Sequence, residues 1–547
     1  MATIIRCCSS LEKIFSDQAP AGGFAGGSCL LGEWFSFQVA VQTGQDALLR
    51  AEIDGLEGAA LEAFWVEEIP VQLPCYEDSD DDYLRKTPGR YPDLLRAMDG
   101  AGERFAEAEA WQALWVSVRP ETPEPRTITV TIRDDARGET VRAEVALAPL
   151  PARLPPQALR CTLWFHADCL ATWYDVPVFS EPHWAILERY IRAAAEHGVT
   201  LLLTPLFTPP LDTEVGTERP TVQLVDIVRD AERYFFDFSR LGRWFDLCQS
   251  CGIREFELSH LFTQWGAKAA PKIMGTVDGQ FCRLFGWETD ADSPDYAGFL
   301  AQFAAALLPF LERKGVRDRC WMHVSDEPGA DDLDSYARHS ALLHRLFPGI
   351  PVMDAMSDLA FYEQGLLEQP IPANNHAQAF VGKVPDLWTY YCCGQHADGV
   401  SNRFFAMPSR RNRVLGFQLW KYRCGGFLQW GYNFWYACLS RERINPFLIP
   451  DGGGAWPAGD PFVVYPGEDG GPLPSLRLKV FREALQDQRA LRLLEELVGY
   501  DRTLQMLEEG PIAPLTFHCY PSDDAWLRET RERINRTVAA ALREREV

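Results

Sequence analysis

Hydrophobic periodicity switches once in this chain, at Pro149-Leu-Pro-Ala-Arg-Leu-Pro155-Pro156, and no single architecture accommodates both sides of the switch. Before it the period is two. Phe35, Phe37, Val39 and Val41 alternate with Ser36, Gln38, Ala40 and Gln42, and Ile128, Val130 and Ile132 alternate with threonines. Further short strands are expected near 50–54, 63–71, 113–118 and 141–147, with turn residues between them. That pattern predicts an N-terminal antiparallel β-sandwich over residues 1–155. Beyond the prolines, short apolar strands are separated by amphipathic helices (181–197, 295–314 and 475–498 among them), the signature of βα repeats. Strand candidates lie near 161–166, 199–204, 253–259, 319–325, 350–354, 386–391, 426–430 and 461–465. Eight such units in roughly 340 residues predict a (β/α)8 TIM barrel over 156–500. A C-terminal helical tail, 501–547, follows, with a helix expected near 523–545.

Charge narrows the ligand class. With 53 Lys+Arg against 77 Asp+Glu, the formal charge of −24 repels nucleic acid and anionic membrane and favours neutral or cationic ligands, neutral sugars among them. No apolar run approaches a membrane span, and the N-terminus shows no signal-peptide pattern. An odd number of cysteines, 15, at irregular spacings suits reduced thiols, so a cytoplasmic location is expected. Cys248-Gln-Ser-Cys251 has redox or zinc spacing but no second ligand pair, and reads as core packing. The acidic loop Asp78–Asp82 reads as a solvated insertion, with a calcium site as its weaker rival. No P-loop, dinucleotide fingerprint or HExxH is present, so no metal or cofactor is expected. The sequence leaves a homo-oligomer open.

In a barrel of this kind, chemistry sits at the C-terminal ends of the strands. The fourth candidate strand ends in Asp326-Glu327-Pro328-Gly329. Paired carboxylates there suit glycoside hydrolysis, since like charges so close raise one pKa into the range of a general acid. Neighbours on a strand point apart, so both reach a ligand only where the strand ends or bulges; otherwise the pair merely caps a turn. Between Trp388 and Trp435 lie 13 aromatic residues in 48 positions, about twice the number expected from the chain's 12% average. Those at expected strand ends (Trp388, Tyr390, Tyr391, Trp430, Tyr432), with Asn433, suit sugar stacking and hydroxyl contacts, whereas Phe417, Trp420 and Phe427 read as core. His260, Gln264 and Trp265 close the third strand. His166 and Asp168 close the first, and Asp354 and Asp358 the fifth.

Taken in order, Ser325-Asp326-Glu327-Pro328, His260-Leu-Phe-Thr-Gln-Trp-Gly266, Gly426-Phe-Leu-Gln-Trp-Gly-Tyr-Asn-Phe-Trp435 and Val464-Tyr-Pro-Gly467 resemble the glycoside hydrolase family 123 catalytic region, also catalogued as domain of unknown function 4091. The likeness covers roughly 156–500, and a sandwich before that region matches the family's usual architecture. It implies an exo-acting β-N-acetylgalactosaminidase that retains configuration through substrate assistance. Glu327 would protonate the leaving oxygen, Asp326 would hold the 2-acetamido nitrogen, and Tyr390, Tyr391 or Tyr432 would position the acetamido oxygen. Substrate assistance is an exception to the rule of two separated carboxylates. Two other readings stand beside it. One is a glycosidase indifferent to the acetamido group, pairing Glu327 with a distant carboxylate such as Asp354. The other is a non-catalytic carbohydrate-binding protein.

Overall fold

The computed structural model describes residues 3–509 and 514–546; 510–513 of the expected tail lie outside the described residues. The N-terminal strands form two five-stranded sheets. In the first, Phe35–Gln42 and Ala59–Val71 flank Trp111–Pro120, all antiparallel. In the second, Ala47–Asp54, Arg126–Asp134 and Glu139–Arg153 run antiparallel, and Gly26–Leu31 joins parallel to the last of these. Period two explains the packing. Phe37, Val39, Val41, Leu114, Val116 and Val118 meet Leu49, Ile128, Val130, Ile132 and Val145 in one core between the sheets.

The alternate residues of the first sheet are buried too. Ala40, Trp115 and Leu95 pack with Phe417, Trp420, Val480, Leu491 and Ile534, so helices from the C-terminal half roof its outer face. The helices Leu476–Val498 and Asp524–Glu546 supply most of that roof. Ionic contacts pin it down: Arg531 pairs with Glu33, and Arg477 donates to Asp93 at 2.7 and 2.9 Å with all of these groups buried. Tyr465 adds a third hydrogen bond to Asp93 at 2.6 Å. Two carboxylates of the acidic loop pair with arginine, Asp80 with Arg411 and Asp82 with Arg410, which ties the loop to residues 410–411, while Asp78 meets His396 and Asp81 meets Lys86.

After residue 159 a series of short parallel strands begins, with antiparallel hairpins inserted at Asp226–Asp230/Arg233–Asp237 and Ile273–Val277/Gln280–Phe285. Arg160–Leu163 lies between Gly426–Gln429, its ladder partner, and Leu201–Thr204, whose approach is marked by the hydrogen bond from Thr200 N–H to Cys161 O. Leu201–Thr204 pairs with Glu255–Leu258, and that strand with Cys320–Met322. A parallel bridge from Met322 to Val352 leads to Met353–Ala355, which pairs with Gln369–Ile371. A bridge from Ala373 to Tyr390 leads to Trp388–Tyr390, which pairs with Gly426–Gln429. Helices intervene at Glu181–Glu196, Pro294–Lys314 and Leu333–Leu346.

One expected strand is displaced. Residues 461–465 do not join this series; Val464–Pro466 pairs antiparallel with Pro472–Pro474. Its place is taken by Gln369–Ile371, whose central Pro370 cannot donate to a ladder and masks the strand in the sequence. Cys248 and Cys251 lie at the end of the helix Ser239–Ser250, with Cys248 in the core. Among the described residues no helix is long and apolar enough to cross a membrane.

Candidate active site

The parallel strands end on a pocket of about 180 Å³ whose lining includes Asp212, Gln264, Trp265, Asp326, Glu327, Tyr390 and Trp430. Local backbone geometry brings the two neighbouring carboxylates to it together. The strand stops at Met322, and Glu327 adopts a left-handed conformation, φ 44°. Its N–H donates to Ala355 O, and the Asp326 carbonyl accepts from Trp265 N–H at 3.0 Å. For a residue with a Cβ this conformation costs about 1–3 kcal/mol and persists only where the surroundings enforce it. Left-handed backbone recurs around the pocket at Asp212 (φ 41°) and Trp265 (φ 56°).

Electrostatics differ across the carboxylates. Burial, followed by the charges of Glu327 and Asp354, holds the Asp326 carboxyl well above its ordinary range. Tyr390 donates to Glu327 Oε1 at 2.5 Å, and burial beside that carboxylate raises the phenol, keeping it a proton donor. Burial pushes Asp212 up to about 6, against the Leu439 N–H and the charge of Arg219. Trp430 is held by its indole N–H, which donates to Asp460 at 2.9 Å; burial raises that carboxyl to about 7. Cys392 and Cys393 also line the pocket, and the Cys392 thiol, hydrogen-bonded to Cys393 and buried, is raised far from thiolate chemistry.

Beneath the pocket lies a buried ionic layer. His323 sits between Asp354, 2.9 Å from Nδ1, and Glu257, 3.2 Å from Nε2. Burial alone would depress the imidazole, but with an acceptor on each nitrogen it is pushed up to about 9 and is an imidazolium at neutral pH. Asp354 also accepts from Tyr336 OH at 2.7 Å and Val324 N–H at 3.0 Å. It is 0% exposed, with its acceptor sites filled from below, and the pocket lining does not include it. Trp164, in the pocket wall, donates to Glu257.

Donor atoms of His260, His323 and Asp354 lie within 4.8 Å of one another, the spacing of a metal cluster. The two imidazoles stack, however, with centroids 4.2 Å apart and planes 20° apart. One cation cannot lie in both ring planes, and His323 already serves two carboxylates, so the arrangement fits a charge network better than a metal.

Several expected ligand contacts lie elsewhere. His260 is buried behind the wall, edge-on to Trp164. Trp388 begins its strand and so lies one layer below Tyr390, against Trp321 and across Gly426, where a Cβ would meet its ring at 2.1 Å. Tyr391 points to the opposite face of the strand, onto Phe427. Tyr432 stacks on Phe165, its hydroxyl on Tyr190 O. Asn433 ties two loops, accepting from His166 N–H and donating to His166 O. His166 and Asp168 are occupied by Arg219, and Asp358 accepts from Ala360 N–H. Trp164, Asp212, Phe434 and Trp456 line the pocket without having been expected. Trp164 directly follows the strand Arg160–Leu163 and was within reach of the strand-end rule. Asp212 lies well past its strand, after Pro209-Pro210, where that rule does not reach. A larger cavity, about 440 Å³, lies between the sheets and the last helix, and its buried carboxylates Glu33 and Glu483 are paired with Arg531 and Arg413, while Glu532 accepts from Ser28.

The sequence matches the family description "Glycoside hydrolase 123, catalytic domain" over residues 164–494, more than half of the chain. The structure resembles a family 123 glycoside hydrolase from Clostridium perfringens over 99% of each chain, with TM-score 0.75 and 14% identity, which shows a shared fold. A β-glucuronidase from Bacteroides uniformis aligns with 88% of this chain and 51% of its own, with 12% identity and TM-score 0.31. One from Parabacteroides merdae aligns with 82% and 50%, with 10% identity and TM-score 0.32, and likenesses this slight carry no weight. No curated protein matches the sequence. The match spans the Asp326–Glu327 corner and the walls around it, and the chain belongs to glycoside hydrolase family 123.

Proposed function

We propose that this glycoside hydrolase is an exo-acting β-N-acetylgalactosaminidase that works by substrate assistance, with Asp326 and Glu327 as its catalytic residues. The observation that carries the reading is the left-handed corner at Glu327, which brings both carboxylates to one small aromatic-walled pocket with Tyr390. A pocket of about 180 Å³ suits one terminal sugar. The parallel strands support a (β/α)8 barrel, 156–500, after a sandwich, 1–155, and before a tail, 501–547. The cysteine usage favours a cytoplasmic enzyme, and the net charge of −24 a neutral glycan as its substrate.

Burial favours the protonated form of the Asp326 carboxyl. A bound acetamido N–H donates to the Asp326 carboxylate and stabilises its anion. The acetamido carbonyl oxygen attacks the anomeric carbon as the C–O bond to the leaving group breaks and Glu327 protonates the departing oxygen. The oxazolinium so formed is opened by water at the same carbon, Glu327 taking the water's proton, and configuration is retained. Tyr390 is the tyrosine placed to turn its hydroxyl from Glu327 to the acetamido oxygen, since Tyr391 and Tyr432 are spent in the core.

A panel of nitrophenyl glycosides tests this directly. The expected result is turnover of 2-acetamido sugars, the galacto-configured one fastest, with the 2-hydroxy counterparts inert. Equal turnover of a 2-hydroxy glycoside overturns substrate assistance. Trp265 is 46% exposed at the edge of the pocket it lines. Trp265→Ala is expected to raise KM roughly tenfold with kcat nearly unchanged, the size of one aromatic contact; an unaltered KM for an oligosaccharide would remove Trp265 from the site.

A further inference from the structure

Beside the catalytic pair, the pocket holds a second polar couple. Gln264 and Asp212 both line it. The Asp212 N–H donates to Gln264 Oε1 at 2.5 Å, which fixes the orientation of the amide and leaves Nε2 as its free end. Gln264 is 5% exposed, and among the described residues Nε2 has no hydrogen-bond partner. A buried NH2 with nothing to donate to costs about 1–3 kcal/mol, and is retained where a ligand completes it.

Asp212 is held with equal care. Oδ2 accepts from Leu439 N–H at 2.8 Å, and its carbonyl accepts from Ser440 OH at 2.6 Å. Both residues of that clasp are left-handed (Leu439 φ 60°, Ser440 φ 53°), as is Asp212 itself at φ 41°. Strain on both sides of one contact, at the rim of a pocket, marks a position fixed for something other than folding. Oδ2 is engaged by the backbone, so Oδ1 is the oxygen available to a ligand.

We propose that Asp212 and Gln264 form a hydroxyl-reading couple, one acceptor beside one donor, that determines which terminal sugar the enzyme accepts. A sugar hydroxyl is donor and acceptor at once, and a pair of this kind satisfies one hydroxyl doubly or two adjacent hydroxyls singly. The couple also sets the charge class of the substrate. Three carboxylates line the pocket (Asp212, Asp326 and Glu327), and among the described residues no Lys or Arg does. An uncharged sugar fits; a uronic acid or a sulfated sugar meets repulsion without a partner. The inference rests on the glycosidase reading above and adds the residues that select the sugar.

The test is a cycle between enzyme and substrate. The kcat/KM of wild type, Asp212→Asn and Gln264→Leu is measured on the best nitrophenyl glycoside and on its monodeoxy forms at each ring hydroxyl. Asparagine tolerates left-handed backbone and keeps an oxygen for Leu439, so the first variant is expected to fold. Wild type is expected to lose about 10- to 100-fold on one or two of the monodeoxy forms, the worth of a hydrogen bond to a charged group. Asp212→Asn should lose a similar factor on the parent and nothing further on those same forms, and Gln264→Leu should mirror it. Monodeoxy penalties equal in wild type and both variants would overturn the couple, because a structural defect lowers every substrate alike. A 6-carboxylate analogue inhibiting as well as the parent sugar would overturn the charge selection. The two readings fail separately: an enzyme that hydrolyses only 2-hydroxy glycosides refutes the acetamido mechanism, and the cycle is then run on that glycoside.

Discussion

Glu327→Gln is expected to lower kcat/KM by about 10²–10⁴-fold toward an alkyl or sugar leaving group, the usual worth of general-acid assistance. Toward an activated aryl leaving group the same variant should lose far less, because a phenolate of low pKa departs without a proton. Asp326→Asn should behave otherwise. In the proposed mechanism it removes the acceptor for the acetamido N–H, so attack itself slows and every leaving group suffers. Both variants keep size and shape, and Glu327→Gln retains an oxygen for the Tyr390 hydroxyl. A plot of log kcat/KM against leaving-group pKa separates the roles: steep for Glu327→Gln, displaced downward but parallel to wild type for Asp326→Asn. Full turnover of an N-acetylated substrate by Asp326→Asn would sink substrate assistance. Asp354 would not then inherit the role, since its oxygens are held by His323, Tyr336 and the Val324 N–H.

The second large effect is on stability. His323→Gln removes the cation between Glu257 and Asp354 and leaves two buried carboxylates without it, a loss of about 3–5 kcal/mol for a broken buried pair. The pH dependence gives the sharper readout. The folded imidazole is held at about 9, above an unfolded value near 6.5, so its contribution is complete below about pH 6.5 and is lost as pH rises through 9. That interval corresponds to about 3 kcal/mol. Besides the two carboxylates, His260 and Trp164 face this imidazole. Urea melts between pH 6 and 9.5 should show wild type weakening across the window and His323→Gln nearly flat, apart from groups common to both. An identical slope in the two proteins would mean that His323 is neutral in the fold.

The architecture was largely written in the hydrophobic period. The helices expected at 181–197, 295–314 and 475–498 form at Glu181–Glu196, Pro294–Lys314 and Leu476–Val498. Strand identity failed where composition misleads: Gln-Pro-Ile hides a parallel strand at 369–371, and Phe462-Val463-Val464 imitates one. For the pocket, choosing residues near strand ends found Asp326, Glu327, Gln264, Trp265, Tyr390 and Trp430. It could not tell which side of a strand or loop each neighbour takes, and Tyr391, Tyr432, Asn433 and Trp388 fell on the wrong side or in the wrong layer. Asp212 was invisible because its position depends on a distant clasp, Leu439 and Ser440, rather than on any local pattern.

The Asp93–Arg477 contact bears on how the protein can be dissected. Arg477 opens the helix that roofs the first sheet, and its guanidinium answers to a carboxylate from the N-terminal half. Cutting the chain near Pro155 to isolate the matched region 164–494 would strip that carboxylate away. It would strand a buried guanidinium and bare Val480, Leu491 and Leu494 to water. The segment that carries the pocket is therefore expected to aggregate when made alone, and to recover when the missing N-terminal piece is supplied as a separate polypeptide.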